Sequence, residues 1–401
     1  MGVVVVSTVN GMSLRRHLRL GIGLAATAAL VTLAIALSAT PAPAHRLRSG
    51  PMRIVRGGAA PSEYVRGSTF VHAGKGRQLA APVQAPLVGP LAPVAVRSAD
   101  SRLLAYNTWS EPRPLDTDTS LSRQGVQPGE PVGTPSVRVY DERDGRDSLV
   151  ERGTYSPAWR ADGALAYARG VVAAFRPGEP YLTDVVVRAS VSATPVKWSV
   201  EPARYVVDGW AGDRLIVYRV GEDEEIDTLV LDGPGRVRLL NQGSVIAISP
   251  DGNRVFALGP DNRGVRVLRV SDGGEVAGLD AAATASSYDW LSYAGSWVGD
   301  HVVAPASPGL AVFQVGDSDI SLEQVLGVDR SILPTGLQEP VLDPDAAHVT
   351  ATADLPPQGD RPAETFFVNC DRTTRTCLRG DPAPAREWLR QVHDTPAEVA
   401  R

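Results

Sequence analysis

Short runs of alternating apolar and polar residues fill most of the chain, and turn-forming residues break them at intervals. The clearest stretch reads Ile246-Ala247-Ile248, then Ser249-Pro250-Asp251-Gly252, then Val255-Phe256-Ala257. Alternation on both sides of Asp-Gly predicts two strands joined by a tight turn. Five more segments fit the same template. Tyr155–Trp159 precedes Asp162-Gly163, Trp210 precedes Asp213, and Trp297 precedes Asp300. Pro340–Leu342 precedes Asp345, and Pro93–Val96 precedes Asp100. Asp100, Asp162, Asp213, Asp251, Asp300 and Asp345 are therefore read as turn residues, each capping backbone N–H groups, with calcium binding as the alternative and with Gly252 completing its turn.

The spacings between these aspartates are 62, 51, 38, 49 and 45 residues. A period of roughly 40–50 in a strand-rich chain indicates propeller blades. Further strands are predicted at 135–140, 183–188, 227–231, 265–270, 310–315 and 365–369, most of them followed by a polar turn and a fourth short strand. Each unit has two apolar faces and cannot bury both alone, so neighbours must pack. The expected fold class is all-β: a six-bladed β-propeller of four-stranded antiparallel blades over residues 68–380, preceded by a signal peptide. The blades are expected at 93–150, 151–200, 201–241, 242–279, 280–326 and 327–380. A strand from the N-terminal side, Ser68–His72, is expected to pair with the last blade and close the ring.

The Ser249-Pro250-Asp251-Gly252 turn, with apolar strands on either side, resembles the repeats of TolB-like propellers. The resemblance is strongest over Tyr155–Tyr167 and Ile246–Leu258. WD-repeat proteins share that architecture, but their His and Trp-Asp signatures are missing here. The resemblance implies a fold and not an activity. The stretch from His45 to Val94 is too short and too Pro-rich to be the small α/β domain that precedes the propeller in TolB, so no Tol-system role is implied.

The N-terminus changes the picture of where the protein works. Arg15, Arg16 and Arg19 precede an uncharged apolar stretch, Gly21–Ala39, and Ala42-Pro43-Ala44 follows. This reads as a signal peptide over 1–44, with export and cleavage after Ala44 expected. The alternative is an uncleaved membrane anchor formed by residues 21–39, whose length suffices to span a bilayer. Residues 45–67 read as a Pro/Gly/Ala-rich tether, and 381–401 as a tail with a short helix bearing Trp388, Leu389 and Val392. The composition suggests an actinobacterial source. The net charge is −5. Loss of residues 1–44 removes three arginines and no acid, taking it to −8. An acidic chain has no electrostatic footprint for nucleic acid. The two cysteines, Cys370 and Cys377, are expected to form a disulfide across the last hairpin.

Candidate chemistry is sparse. No Gly-x-Ser-x-Gly element occurs, and no metal or cofactor is expected. The six histidines are scattered, although His301 and His348 both follow a turn aspartate and read as exposed turn residues or as a facing pair. Glu222-Asp223-Glu224-Glu225 reads as a solvated hairpin tip, with a weak cation or partner site as the alternative. Trp159, Trp210 and Trp297 belong to the repeat and read as packing between blades, with a substrate platform as the alternative. Trp290, beside Tyr288 and Tyr293, is a candidate lining of a binding face. Long strand 2–3 loops at 110–134, 170–180 and 354–364 fall on consecutive blades and predict a raised rim, with Trp109, Arg113 and Arg361 as candidate contacts. The reading of function is a non-catalytic binding or scaffold propeller acting on an unknown protein or cell-envelope ligand. The alternative is an extracytoplasmic propeller enzyme (a hydrolase, lactonase or quinoprotein-like dehydrogenase) with a site at the mouth of the pore.

Overall fold

A computed structural model of the chain describes residues 50–56, 63–66, 68–83, 95–111, 132–172, 181–221, 225–259, 264–280, 295–306, 309–328, 337–355 and 364–383. The expected signal peptide, tail helix, acidic run 222–224 and Trp290 cluster lie outside them. Every regular element among the described residues is a strand. Six sheets among those residues, numbered here in chain order, each hold an antiparallel four-stranded meander. Their first strands are Ala95–Arg97, Thr154–Trp159, Arg204–Ala211, Val245–Ile248, Ser296–Val298 and Leu337–Leu342. Each third strand predicted from the sequence falls, to within one residue, inside a third strand of these meanders, as Thr183–Arg188 does.

Burial follows the two-faced pattern of each sheet. Trp159, Leu165 and Tyr167 of sheet 2 pack on Ala105, Val137 and Val139 of sheet 1. Sheets 2 and 3 share a second core, formed by Ala166 and Val185 from one and Val207, Leu215 and Val217 from the other. Further cores join sheets 3 and 4, 4 and 5, and 5 and 6. This succession of meanders, each packed face to face on the next, is a propeller-type arrangement. Side chains also tie neighbours by hydrogen bonds. Trp159 Nε1 donates to Val96 O (3.1 Å) and Trp210 Nε1 to Ala158 O (3.1 Å), each reaching back to the preceding sheet. Tyr155 and Tyr218 donate forward, to Tyr205 O (2.8 Å) and Val245 O (2.9 Å). A buried phenol needs such a partner to offset its lost hydration.

First strands carry a recurring irregularity. Register shifts lie between Tyr155 and Ala158, Val207 and Gly209, Val245 and Ala247, and Gln338 and Val341. One extra residue in a strand is a β-bulge, which bends the strand and breaks its alternation.

The N-terminal segment departs from expectation. Residues 45–67 are not wholly a tether, because Gly50–Pro51, Arg53–Arg56 and Glu63–Arg66 are strands. Gly50–Pro51 adds to the outer strand of sheet 5, and Arg53–Arg56 to the outer strand of sheet 6, both in parallel. The strand joined to the last sheet is thus Arg53–Arg56. Thr69–His72 is instead the middle of a separate three-stranded sheet with Glu63–Arg66 and Lys75–Gln78. That sheet buries Val65 and Phe70 against Leu104, Tyr106 and Tyr140 of sheet 1. The apolar face of Thr69–His72 finds a better partner there than a sheet edge offers. The last strand of sheet 6 runs to Ala383, just past the expected boundary at 380. Cys370 and Cys377 form a disulfide between directly opposed residues of its last two strands.

Candidate functional site

Each first strand leads into the turn that carries its aspartate. Asp100, Asp162, Asp251 and Asp345 accept from the backbone N–H two residues on, at 2.8–3.1 Å. In sheets 1 and 4 a hydroxyl two residues earlier completes the turn: Ser98 Oγ donates to Asp100 and Ser249 Oγ to Asp251, both at 2.5 Å. The Ser98 hydrogen bond, with help from the Arg102 N–H and against some burial, holds the Asp100 carboxyl below its ordinary value. Burial pushes Asp251 up, but hydrogen bonds from Ser249 and Asn253 outweigh it. Asp300 is lowered by its bond from Gln314 and by His301.

Sheet 6 breaks this pattern. Where sheet 4 has Ser249-Pro250-Asp251, sheet 6 has Asp343-Pro344-Asp345. An acceptor has replaced the donor, so two carboxylates occupy the turn. His348 begins the next strand, opposite Asp371 in the ladder. Ligand atoms of Asp343, Asp345 and His348 all lie within 4.8 Å of one another, and all three side chains are at least partly exposed. Two hard oxygen donors with an imidazole suit a divalent cation such as Ca²⁺, Mn²⁺ or Zn²⁺. His301 and His348 do not meet. His301 Nδ1 sits 2.6 Å from Asp300 and its Nε2 3.3 Å from Glu323, while His348 Nδ1 is 3.9 Å from Asp345. Sequence reasoning weighs His348 with His301, reads Asp345 as a turn cap, and passes over Asp343. The signal that finds the group is the Ser-to-Asp exchange between equivalent turns.

The other predicted contacts fall elsewhere. Trp109 is 3% exposed, opposite Pro135 in sheet 1, so it presents no surface to a partner. Arg113, Arg361 and the centre of the expected rim lie outside the described residues. Trp159 and Trp297 are buried, and Trp210 packs edge-on against Trp198. All three are placed among the sheets.

A second charged group joins the three-stranded sheet to sheet 1. His72 Nδ1 lies 2.7 Å from Glu142 Oε1, and His72 Nε2 3.4 Å from Glu63. Arg97 Nη2 reaches Glu142 at 2.9 Å and Glu63 at 3.3 Å, with its guanidinium 4.8 Å above the Phe70 ring. Burial pushes the Glu142 carboxyl up, but hydrogen bonds from His72 and Arg97 bring it below its ordinary 4.5. A lowered carboxyl contributes stability in full above the unfolded value, and loses it as pH falls through the folded value. Wild type should therefore melt higher than Glu142→Gln at pH 6, and the gap should close between about pH 5 and pH 3. Thermal melts of both proteins across that range check this, and a gap independent of pH would rule out the clasp.

No protein-family profile matches the chain, and no curated relative does. Among solved structures, the chain is similar to the acylaminoacyl peptidase of Pyrococcus horikoshii, with a TM-score of 0.43 and 12% identity over 75% of this chain and 46% of that one. It thus spans under half of the peptidase's length. It is also similar to the β-propeller domain of the Trilobed protease from Pyrococcus furiosus (TM-score 0.40, 12% identity, 69% of this chain and 78% of that one). A third is a protein described as a putative TolB from Agrobacterium tumefaciens (TM-score 0.38, 14% identity, 62% and 88%). Of these three, the Trilobed protease domain is described as a β-propeller. The expectation of a non-catalytic binding or scaffold propeller is corrected here: a peptidase and a protease stand among the neighbours, and the enzyme alternative fits them better.

Proposed function

We propose that the chain is an exported propeller enzyme of the hydrolase class, its six four-stranded sheets forming six blades and its site lying at the turn of the last one. The observation that carries this reading is the convergence of Asp343, Asp345 and His348 just beyond the first strand of sheet 6. A divalent cation held there would polarise a substrate carbonyl or lower the pKa of water to about 7. The residues themselves would do three things. Asp343 and Asp345 supply negative charge to fix the cation, His348 supplies a nitrogen ligand, and Asp371 opposite His348 orients the imidazole. Backbone N–H groups already bound to Asp371 support that arrangement, since Thr373 and Thr374 donate to its Oδ1 at 2.8 and 2.9 Å. Export rests on residues 1–44, and weak calcium sites of the extracellular kind suit the exposure of this one. The rim expected from 110–134, 170–180 and 354–364 would sit on the opposite face, with Arg113 and Arg361 contacting a partner.

Purified protein assayed against aryl esters, lactones and N-acyl dipeptides, with Ca²⁺, Mn²⁺ or Zn²⁺ and with chelator, tests the reading. Turnover should require metal and fall at least ~10-fold in Asp343→Asn and His348→Ala, in line with the loss of a metal ligand. No turnover above blank under any metal, or turnover unchanged by chelator and by both variants, would reject it.

A further inference from the structure

The N-terminal strap crosses from sheet 5 to sheet 6 directly over the disulfide. Gly50–Pro51 pairs with Leu326–Gly327, and Arg53–Arg56 with Thr376–Arg379. Ile54 is opposite Cys377 in that ladder. Between the two strands, Met52 is 6% exposed and its Sδ lies 3.2 Å from Cys377 Sγ. The backbone is anchored on both sides: Met52 N–H donates to Gly327 O at 2.7 Å, and Arg53 N–H to Arg375 O at 3.1 Å. Both cysteines are fully buried.

We propose that this strap is a redox latch, docked on sheets 5 and 6 while Cys370 and Cys377 are joined and released when they are reduced. The coupling runs in both directions. A reductant must bring a thiolate up to a cystine sulfur, and the Met52 thioether and the strap backbone lie over that approach. The strap must therefore open before the bond can be attacked. It is held by short parallel ladders, so such opening is a local event that leaves the sheets intact. Once exposed, the cystine reacts with a dithiol. One thiolate of the dithiol attacks a cysteine sulfur and forms a mixed disulfide, and the second thiolate displaces it. Two electrons pass to the cystine, two protons end on the cysteine thiols, and the dithiol leaves as its own disulfide. The last two strands then lose the cross-link beneath the strap, and Met52 loses the fixed sulfur on which it rests. Release uncovers the backbone edges of Leu326–Gly327 and Thr376–Arg379, which can accept a strand from another chain.

Limited thermolysin digestion of the full chain, with and without dithiothreitol, tests the latch, with cuts read by mass spectrometry. In oxidised protein the bonds at Met52, Ile54 and Val55 should resist. After reduction they should be cut at least ~10-fold faster, while the sheets stay protected. Cys370→Ser/Cys377→Ser should behave as the reduced protein does. In the reverse direction, Arg53→Pro removes the N–H given to Arg375 O, and should speed reduction of the disulfide by dithiothreitol at least ~10-fold. Equal strap cleavage in oxidised and reduced protein would overturn the proposal. So would cleavage throughout the sheets on reduction, which would make the disulfide a general staple. Should Arg53→Pro not fold, the wild-type comparison decides alone.

Discussion

Trp297→Ala should destabilise the protein by about 3–5 kcal/mol, the range for deleting a buried aromatic side chain. Trp297 is 1% exposed in the core between sheets 4 and 5. Its ring meets Phe256 edge to face, with centroids 6.4 Å apart, and the Arg254 guanidinium lies 5.3 Å above it. Its Nε1 donates to Gly299 O at 3.0 Å, closing the turn that carries Asp300. Alanine removes all three contacts and leaves a cavity that a β-sheet interface cannot collapse to fill. Trp297→Phe keeps a ring against Phe256 and loses the N–H donor, so it should cost roughly half as much. Urea unfolding of both variants measures this. A loss under about 1 kcal/mol for alanine would show that sheets 4 and 5 do not share this core.

Gly252→Ala should cost about 2–3 kcal/mol, and Gly163→Ala at the equivalent turn only about 1 kcal/mol. Both glycines have positive φ, +67° and +88°, so each substitution forces an L-residue into the left-handed region. The difference lies in what surrounds them. A Cβ on Gly163 meets open space. A Cβ on Gly252 would stand 2.8 Å from the Ala211 carbonyl carbon and run into Gly212 N, in the turn of the preceding sheet. Two turns from neighbouring sheets therefore touch backbone to backbone at this glycine. Thermal melts of the paired variants separate the two contributions, and equal losses would mean the turns are apart.

The strands and their turns are legible in the sequence because both signals are local. Alternation places apolar residues on the faces of a strand, and Asp-Gly or Ser-Pro-Asp fixes where the chain reverses. The disulfide is legible for a similar reason, since Cys370 and Cys377 flank one short turn. The strap is not. Gly50-Pro51 has no strand propensity, and Pro is tolerated there because an edge strand needs only one side of its backbone paired. Its partners lie hundreds of residues away, so nothing in its own sequence announces them. Thr69–His72 reads correctly as a strand but with the wrong neighbour, because a four-residue stretch says little about which surface it meets. Asp208 shows another limit. It sits in the register shift between Val207 and Gly209, where alternation stops assigning faces. The Asp343, Asp345 and His348 group is hidden by its own motif. Five turns make a sixth look structural, and only a carboxylate at position 343, where two of the other turns carry a serine hydroxyl, sets it apart.

The pairing of Arg53 with Thr376 joins residues 323 positions apart in the chain. On the proposed export route, the first strand to leave the membrane is thus among the last to find its place. Meanders of sheets 1 to 5 can form as each emerges, because their strands are neighbours in sequence. The strap must wait until the final hairpin has been delivered, and closing so long a loop is slow. On that route it is the strap, and not the edge of sheet 6, that stays unpaired for an interval set by translocation. On that proposed route, folding is complete only when the strap and the final hairpin have been on the same side of the membrane together.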